Sequence, residues 1–250
     1  MHRPLVFCAA LQAPVAAFMA AVAIANTNVA AANDSGFVSL FDGESLDGWD
    51  GNPELWRVEA GAIVGETSDA SPIAKNEFLI WEGDAADFVL RLKFRISDRG
   101  VGNSGVQYRS KRLAGGQGWA VGGYQADIHA PNIHMGILYE EGGRGIVAKR
   151  GSQVRLRRVE GRVVKQVTGS VGDPAEIVAG VSPGEWQEME IVARGNRLEQ
   201  KLNGKPTVVV IDDDPEQAAA SGLIALQVHR GPAMKVEFKD IRLKTLPADE

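Results

Sequence analysis

Residues 87–96 alternate apolar side chains with mostly charged ones. Phe88, Leu90 and Leu92 begin an apolar series that continues with Phe94 and Ile96. Because successive side chains of an extended chain point to opposite faces, this pattern predicts a strand with one buried face. Other apolar runs predict about fourteen further strands. They lie at residues 36–41, 56–58, 62–64, 78–81, 105–110, 123–129, 137–140, 154–159, 162–167, 186–193, 198–202, 207–211, 222–229 and 234–243.

Turn residues separate these runs. Asn203-Gly204 and Ala60-Gly61 each lie between two apolar runs, and such pairs favour tight hairpin turns. Helical spacing is found only at residues 174–179 and 215–220. No repeat and no change of composition marks a second domain. The pattern therefore predicts one all-β domain over residues 33–250, built as a sandwich of two antiparallel sheets.

The first 32 residues have the pattern of a secretory signal peptide. A short basic start is followed by a run rich in Ala, Val and Phe, and Ala30-Ala31-Ala32 provides small residues for cleavage before Asn33. The apolar run contains Gln12 and Pro14 and is not followed by a stop-transfer pattern, which disfavours a retained membrane anchor. We therefore expect an exported protein, periplasmic or extracellular.

Composition narrows the possible partners and sites. The chain has one cysteine, Cys8, which falls in the predicted leader, so the expected mature chain has no disulfide and no thiolate metal site. Without Arg3, 26 basic residues face 32 acidic ones, a net charge of −6. An acidic chain of this kind lacks the basic stripe that nucleic-acid binding requires, and it gives no support for binding to an anionic membrane.

Residues 122–129 form the stretch most suggestive of chemistry. In a strand, Gln125, Asp127 and His129 would share one face at intervals of roughly 7 Å, and the apolar or aromatic residues between them would face the core. An amide, a carboxylate and an imidazole in a row are typical of a functional site. The same row could instead be the polar outer face of an ordinary strand.

An ordered series of short motifs resembles one family, the 3-keto-glucoside 1,2-lyase / 3-keto-2-hydroxyglucal hydratases, also called 3-keto-disaccharide hydrolases. The resemblance covers residues 37–246, nearly all of the expected mature chain. The motifs are Leu40-Phe41-Asp42-Gly43, Leu46-Asp47-Gly48-Trp49, Asp87-Phe88, Asn103-Ser104-Gly105-Val106-Gln107-Tyr108-Arg109, Gly123-Tyr124-Gln125-Ala126-Asp127-Ile128, Trp186, Leu202-Asn203-Gly204, Gly222-Leu223-Ile224-Ala225-Leu226-Gln227 and Val236-Glu237-Phe238-Lys239-Asp240-Ile241.

This resemblance implies a concanavalin A-like jelly roll and action on sugars oxidised at C3. The expected substrate is a 3-keto disaccharide, oligosaccharide or other glycoside. A ketone at C3 acidifies the proton on C2, so a base can remove it and the enolate can expel the substituent on C1. Water then adds to give the free 3-keto sugar. Such a site needs a base near neutrality, an acid for the leaving oxygen and a positive group at the C3 oxygen.

Three residues are candidates for these catalytic roles. His129 is the candidate base, because the ordinary pKa of histidine lies near the working pH. Asp127 is its candidate partner, either orienting the imidazole or binding a metal. Arg109 could stabilise the enolate oxygen through its several fixed donors, although an exposed ion pair is an equally good interpretation.

Further residues are candidates for binding. Substrate contacts are expected from Asn103, Gln125, Trp119, Gln227 and His229. A divalent metal is also conceivable, with Asp127, His129 and His134 as oxygen and nitrogen ligands. His134 could equally be a loop residue without a role. Residues 140–145 are rich in glycine and predict a mobile loop near the site.

Three other classes of function remain open. A conventional retaining glycosidase needs two carboxylates about 5.5 Å apart, whereas Gln125-Ala126-Asp127-Ile128-His129 supplies one acidic residue, which disfavours that reaction. A non-catalytic carbohydrate-binding module would use aromatic platforms, for which Trp119 is the candidate because Trp56 and Trp186 lie in strand patterns. A structural or interaction domain would leave the row of Gln, Asp and His unexplained.

Overall fold

The computed structural model describes residues 1–2, 35–97, 101–114 and 118–247. Residues Ser35–Glu250 form one compact unit. The predicted signal peptide and Cys8 lie outside the described residues, apart from Met1 and His2. The described residues contain seventeen strands and one short helix. The strands are β1 Val38–Ser39, β2 Trp49–Asp50, β3 Trp56–Glu59, β4 Ala62–Glu66, β5 Glu77–Trp81, β6 Phe88–Ile96, β7 Gly102–Arg112, β8 Val121–Ala130, β9 Leu138–Glu141, β10 Gly145–Ala148, β11 Ser152–Val159, β12 Arg162–Ser170, β13 Gln187–Arg194, β14 Arg197–Leu202, β15 Lys205–Asp212, β16 Leu223–Val228 and β17 Lys235–Thr245, and the helix is α1 Pro174–Val178.

These strands form two sheets. The ten-stranded sheet has the order β12-β11-β15-β14-β13-β6-β17-β4-β3, with β1 paired to β17, and the seven-stranded sheet has the order β10-β9-β8-β7-β16-β5-β2. All strand pairs are antiparallel except β11 with β15. The predicted all-β jelly-roll sandwich of two antiparallel sheets is therefore confirmed, with one parallel pair in the larger sheet.

The core lies between the two sheets. Along β6, buried and partly exposed residues alternate over all nine positions, as the sequence pattern predicts. Phe88 of this strand meets Tyr108 of the smaller sheet edge-on, with ring centroids 6.3 Å apart. Tyr124, the neighbour of Tyr108 within the smaller sheet, packs against it with ring centroids 5.6 Å apart. The contact of Phe88 with Tyr108 joins the two sheets and helps to bury the apolar faces of both.

The hairpin predictions hold at the level of individual residues. Asn203 and Gly204 join β14 to β15 with φ values of 49° and 77°, and Ala60 and Gly61 join β3 to β4 with 50° and 76°. Two successive positive φ values are what a two-residue turn of the type I′ class requires. The turn chemistry therefore sets the register of both strand pairs.

Two predicted elements differ from the structure. The first strand is only Val38–Ser39. The helix predicted at residues 215–220 is only a turn at 215–217, and the Ala219 amide donates to the Tyr124 hydroxyl instead of to a carbonyl of a helical turn. The other predicted helix exists as α1, capped by Asp173. In the described part of the chain, no helix is long and apolar enough to cross a membrane.

The segment at residues 140–145, predicted to be mobile, is instead a hairpin between β9 and β10 held by a buried arginine. The Arg144 guanidinium donates to Glu140 and, at 2.6 Å, to the Asp212 carboxylate. Tyr124 also donates to Asp212, at 2.5 Å. The Arg144 side chain is 4% exposed. A buried ion pair of this kind is costly to break from one side, because the remaining charge is then unpaired.

Replacement of Arg144 by methionine should therefore destabilise the fold strongly. We expect a loss of about 3–5 kcal/mol in the free energy of unfolding, because Glu140 and Asp212 would be left buried without a cation. The matched control is Arg57→Met, which removes exposed pairs with Glu59 and Glu66 and should cost less than about 1 kcal/mol. Urea denaturation measures both, and similar losses in the two variants would contradict this account of the hairpin.

Candidate functional site

The face of the seven-stranded sheet that points away from the core forms the floor of a cavity of about 480 Å³. Gln125 and Asp127 of β8 line it, whereas Tyr124 and Ala126 belong to the core on the other side of the strand. Neighbouring strands contribute Asn103 of β7 and Tyr139 and Glu141 of β9, and Gln227 comes from β16. The period-two pattern of β8 thus separates a polar cavity floor from the apolar core.

A chain of hydrogen bonds leads to Asp127 through buried side chains of β7 and β8. The Ser110 hydroxyl donates to Gln107 Oε1 at 2.6 Å, and Gln107 Nε2 donates to Gln125 Oε1 at 2.8 Å. Gln125 Nε2 then donates to Asp127 Oδ1 at 2.7 Å. All four side chains are buried. The carboxylate is therefore held by a donor that is itself held in place.

A glycine makes room for this arrangement. Gly105 of β7 lies directly opposite Asp127 in the strand pairing. A Cβ atom at Gly105 would lie 2.5 Å from the carboxamide carbon of Gln125 and 2.7 Å from its Nε2. The Gln125 amide thus occupies the space that any other residue at position 105 would fill.

Burial gives Asp127 an ionisation suited to proton transfer. Desolvation raises the pKa of the carboxyl group to about 7, the hydrogen bond from Gln125 opposes this rise, and the negative charge of Glu141 adds to it. A carboxyl group with a pKa near neutrality is present in both the acidic and basic forms at physiological pH. Asp127 can therefore accept or donate a proton there.

Glu141 and Asn76 build the wall beside this carboxyl group. Asn76 Nδ2 lies 3.4 Å from both Glu141 carboxylate oxygens, and Asn76 Oδ1 accepts from the Arg230 amide at 3.1 Å. Burial raises the pKa of Glu141, against the effects of Asn76 and Arg230. Burial and the nearby carboxylates raise the pKa of Tyr139 as well.

Two of the histidines predicted at the site line the cavity, and the third packs against one of them. His134 and His229 line the cavity. His229 Nδ1 lies 2.5 Å from the Arg230 carbonyl oxygen, and because a carbonyl only accepts, Nδ1 carries the proton and Nε2 is left as the acceptor of the neutral ring. His129 packs edge-on against His134, with ring centroids 5.1 Å apart. Burial lowers the pKa of both His129 and His229.

The structure places the catalytic candidates differently from the sequence interpretation. Asp127 lies in the cavity, but His129 is not among the described lining residues and does not bond to Asp127. Within the described residues, no group of three His, Cys, Asp or Glu side chains is arranged to hold a metal. The predicted ligands Asp127, His129 and His134 do not form such a group.

Arg109 shows the clearest difference between the predicted and the observed position of a catalytic candidate. Its backbone has a φ of 45° at a bulge in β7, and the side chain is 1% exposed. The guanidinium donates to the Asp87 carboxylate at 2.8 Å, to the Ala86 carbonyl at 2.8 Å and to the Gly195 carbonyl at 2.6 Å. It joins loops of the sandwich and is not among the described lining residues of the cavity, so it is not placed to stabilise an enolate there. The alternative of an ion pair is correct, with Asp87 as the partner, but the pair is buried rather than exposed.

Four of the five candidates for substrate contact lie in the cavity, and one does not. Asn103, Gln125, Gln227 and His229 all line the cavity. Trp119 does not belong to the described lining, because its indole N–H donates to Asp50 Oδ1 at 2.9 Å. Trp186, which its strand pattern placed in the core, is instead partly exposed and lies beneath Arg95 and Lys239.

Sequence reasoning missed five polar or charged residues that line the cavity. Asn76, Tyr139 and Glu141 were not selected, nor were the cationic side chains of Lys75 and Arg230. The alternation of β9, in which Leu138 and Glu140 are buried and Tyr139 and Glu141 less so, is the signal that could have found two of them. The loop residues left no comparable pattern.

Comparison with known proteins gives one family and a set of similar folds. The model of the family described as the 3-keto-alpha-glucoside-1,2-lyase-like domain matches residues 36–244. No curated protein matches the sequence significantly.

Solved structures with the same fold are distant in sequence. Two candidate glycosyl hydrolases from Parabacteroides distasonis are similar, one with 20% identity and a TM-score of 0.52 over 84% of this chain and 99% of its own. The other has 18% identity and a TM-score of 0.54 over 85% and 94%. The carbohydrate-binding module CBM66 from Bacillus subtilis has 15% identity and a TM-score of 0.50 over 79% and 96%. At these identities the likeness is one of fold.

The raised pKa of Asp127 predicts a pH-dependent stability. The folded state holds a proton on this carboxyl group between about pH 4 and pH 7 that the unfolded state does not, so stability should fall as the pH rises through this window. Asp127→Asn should remove that dependence and raise the free energy of unfolding at pH 8 by roughly 2–4 kcal/mol.

Urea denaturation of both proteins at pH 5 and pH 8 measures this effect. Asp47→Asn, at an exposed aspartate, is the matched control and should change little at either pH. An unaltered stability difference between the two pH values in Asp127→Asn would contradict the assignment.

Proposed function

This chain belongs to the 3-keto-alpha-glucoside-1,2-lyase-like family, and we propose that it cleaves glycosides oxidised at C3 by removing the C2 proton and expelling the C1 substituent. Hydration of the unsaturated product then gives the free 3-keto sugar. The observation that carries this proposal is the buried Asp127 carboxyl group, whose pKa is raised to about 7 at the floor of the cavity. Proton abstraction next to a ketone needs a base with this property.

The proposed reaction has two balanced stages. In the first, the base takes the proton from C2, the electron pair of that bond forms the enolate, and the C1–O bond breaks as the leaving oxygen gains a proton. In the second, water adds its oxygen to C1 and a proton returns to C2. The sum is one glycoside and one water converted to a 3-keto sugar and an alcohol.

Asp127 is the proposed base in place of His129. It lines the cavity, its carboxylate is oriented by Gln125, and its pKa lies near the pH at which the reaction would run. His129 is not among the described residues that line the cavity, it packs edge-on against His134, and burial lowers its pKa. A base must reach the proton that it removes, so position favours the aspartate.

Other cavity residues supply the remaining proposed roles. His229 offers Nε2 for a second proton transfer, because its Nδ1 proton is donated to the Arg230 carbonyl. His134 is the other imidazole on the wall. Lys75 and Arg230 replace Arg109 as the proposed cations for negative charge that develops on the C3 oxygen.

Conventional retaining hydrolysis is less well supported. The cavity does contain a second carboxylate, Glu141, which the sequence interpretation overlooked. However, Glu141 pairs with Gly123, four positions from Asp127 along the strand, an offset of roughly 13 Å. Retaining enzymes hold their two carboxyl groups about 5 Å apart.

We also propose that the protein acts outside the cytoplasm. The signal-peptide pattern of residues 1–32 supports an extracellular or periplasmic destination. Oxidised sugars or glycosides would then meet the enzyme there, and the acidic composition gives no support for a nucleic-acid partner.

The test is a turnover assay with a 3-keto disaccharide beside its unoxidised parent. We expect release of 3-keto sugar from the oxidised substrate alone, and we expect Asp127→Asn to lower kcat by about 10²–10⁴-fold because the base is lost. His129→Gln should retain more of the activity than Asp127→Asn, since His129 is not among the described lining residues of the cavity.

Each contrary result has a distinct meaning. Cleavage of the parent sugar would replace the proposal with conventional hydrolysis. Binding of both sugars without cleavage of either would favour a carbohydrate-binding module. Full activity in Asp127→Asn would remove Asp127 from the mechanism.

A further inference from the structure

We propose that Gln125 is a positioning residue for Asp127, held in turn by Gln107 and Ser110, and that Gly105 and Gly123 leave the space which this buried chain of side chains requires. The catalytic consequence rests on the proposed function, because Asp127 is the base there. The physical claim concerns the free protein and can be tested without substrate.

The direction of the hydrogen bonds is the first argument. Each glutamine accepts through its oxygen and donates through its nitrogen, so the donors all point from Ser110 toward Asp127. Turning the Gln125 amide around would place its oxygen against the Asp127 carboxylate and its NH₂ group against Gln107 Nε2. With Asp127 ionised, both contacts would then be repulsive, so one orientation of Gln125 is strongly favoured beside the carboxylate.

The second argument comes from two glycines that lie against the side chains of this hydrogen-bond chain, one near each of its ends. At Gly105, an added Cβ would lie 2.5 Å from the Gln125 carboxamide carbon. At Gly123, where φ is 148°, an added Cβ would lie 2.4 Å from Ser110 Oγ. The Gln125 side chain therefore packs closely against the backbone of Gly105, and the Ser110 side chain packs closely against that of Gly123. This packing limits the movement of Ser110 and Gln125.

The position of Gln107 separates this proposal from direct substrate binding. Gln125 lines the cavity and could touch a sugar, but Gln107 and Ser110 do not belong to its described lining. An effect of Gln107 on Asp127 would thus have to pass through Gln125. Substitution at Gln107 tests the chain of hydrogen bonds without removing a group that faces the substrate.

Other charged or titratable groups also face Asp127 across the cavity. They come from the loop before β5, from the segment between β8 and β9, from β9 and from the end of β16. These are Lys75, His134, Tyr139, Glu141, His229 and Arg230. The test variants leave all six unchanged, so differences between variants report on the amide chain.

The experiment measures the titration of Asp127 by carboxyl ¹³C NMR in the free protein, together with the pH profile of kcat/KM. The variants are Gln125→Met and Gln107→Met. The hydrogen bond from Gln125 favours the ionised carboxylate, so its loss should raise the pKa of Asp127 by about one unit. The acidic limb of the pH profile should move by the same amount, and Gln107→Met should give a smaller shift in the same direction.

The matched control is Gln200→Met. Gln200 is another buried glutamine, and it donates to the Tyr108 hydroxyl at 3.0 Å rather than to the cavity floor. Its replacement should lower stability without moving the Asp127 titration. This comparison separates loss of a buried amide in general from loss of this particular donor.

A second pair of variants tests the space at Gly105 and covers the case in which a methionine variant fails to fold. Gly105→Ala should displace the Gln125 amide and raise the pKa of Asp127, whereas Gly180→Ala, at a glycine with no heavy atom within 4 Å of the added Cβ, should not. In Gln125→Ala the space is vacant, so adding Gly105→Ala should have little further effect.

The results distinguish the two proposals. An unchanged Asp127 titration in Gln125→Met and Gly105→Ala would overturn the positioning role. A higher KM in Gln125→Met with an unmoved pH profile would also overturn it, and would make Gln125 a direct sugar ligand. Shifted titrations in a protein that does not cleave the 3-keto sugar would uphold the positioning of Asp127 and reject only the proposed reaction.

Discussion

The ionisation of a buried carboxyl group depends on whether its hydrogen-bond partner is a cation or a neutral donor. This protein contains one carboxyl group of each kind, Asp212 and Asp127. Asp212 lies in the core and accepts from Arg144, so the positive charge of the guanidinium compensates its negative charge. Asp127 is nearly as buried, but its hydrogen-bond partner is the amide of Gln125, and its pKa is raised to about 7. The first arrangement stabilises a hairpin, and the second leaves a proton available for exchange.

The alternation of β8 allows both arrangements to exist on one strand. Tyr124 points inward, where its hydroxyl donates to Asp212, while Gln125 points outward to Asp127. A shift of one residue in the strand register would exchange the two faces and destroy both networks. The pairing of β8 with β7, which sets Gly105 opposite Asp127, therefore has a chemical as well as a structural consequence.

The sequence was informative where one local rule decides the outcome. Alternation in β6 and the turn at Asn203-Gly204 depend on near neighbours, and both were predicted correctly. The faces of Gln125 and Asp127 followed from the same rule. Arg109 was misplaced because a bulge in β7 turns its side chain toward loops distant in sequence. Glu141 was overlooked because its place in the cavity depends on the pairing of β9 with β8.

Family membership and site geometry constrain function in different ways. The family directs attention to sugars with a ketone at C3, whereas a fold shared with both candidate glycosyl hydrolases and a carbohydrate-binding module does not choose between catalysis and binding. The ionisation of Asp127 bears on that choice. A binding site gains little from keeping a carboxyl group half-protonated at neutral pH, since burial without a cation lowers stability. A proton-transfer site requires that state, so the cost of burying Asp127 beside Gln125 is itself an argument for catalysis.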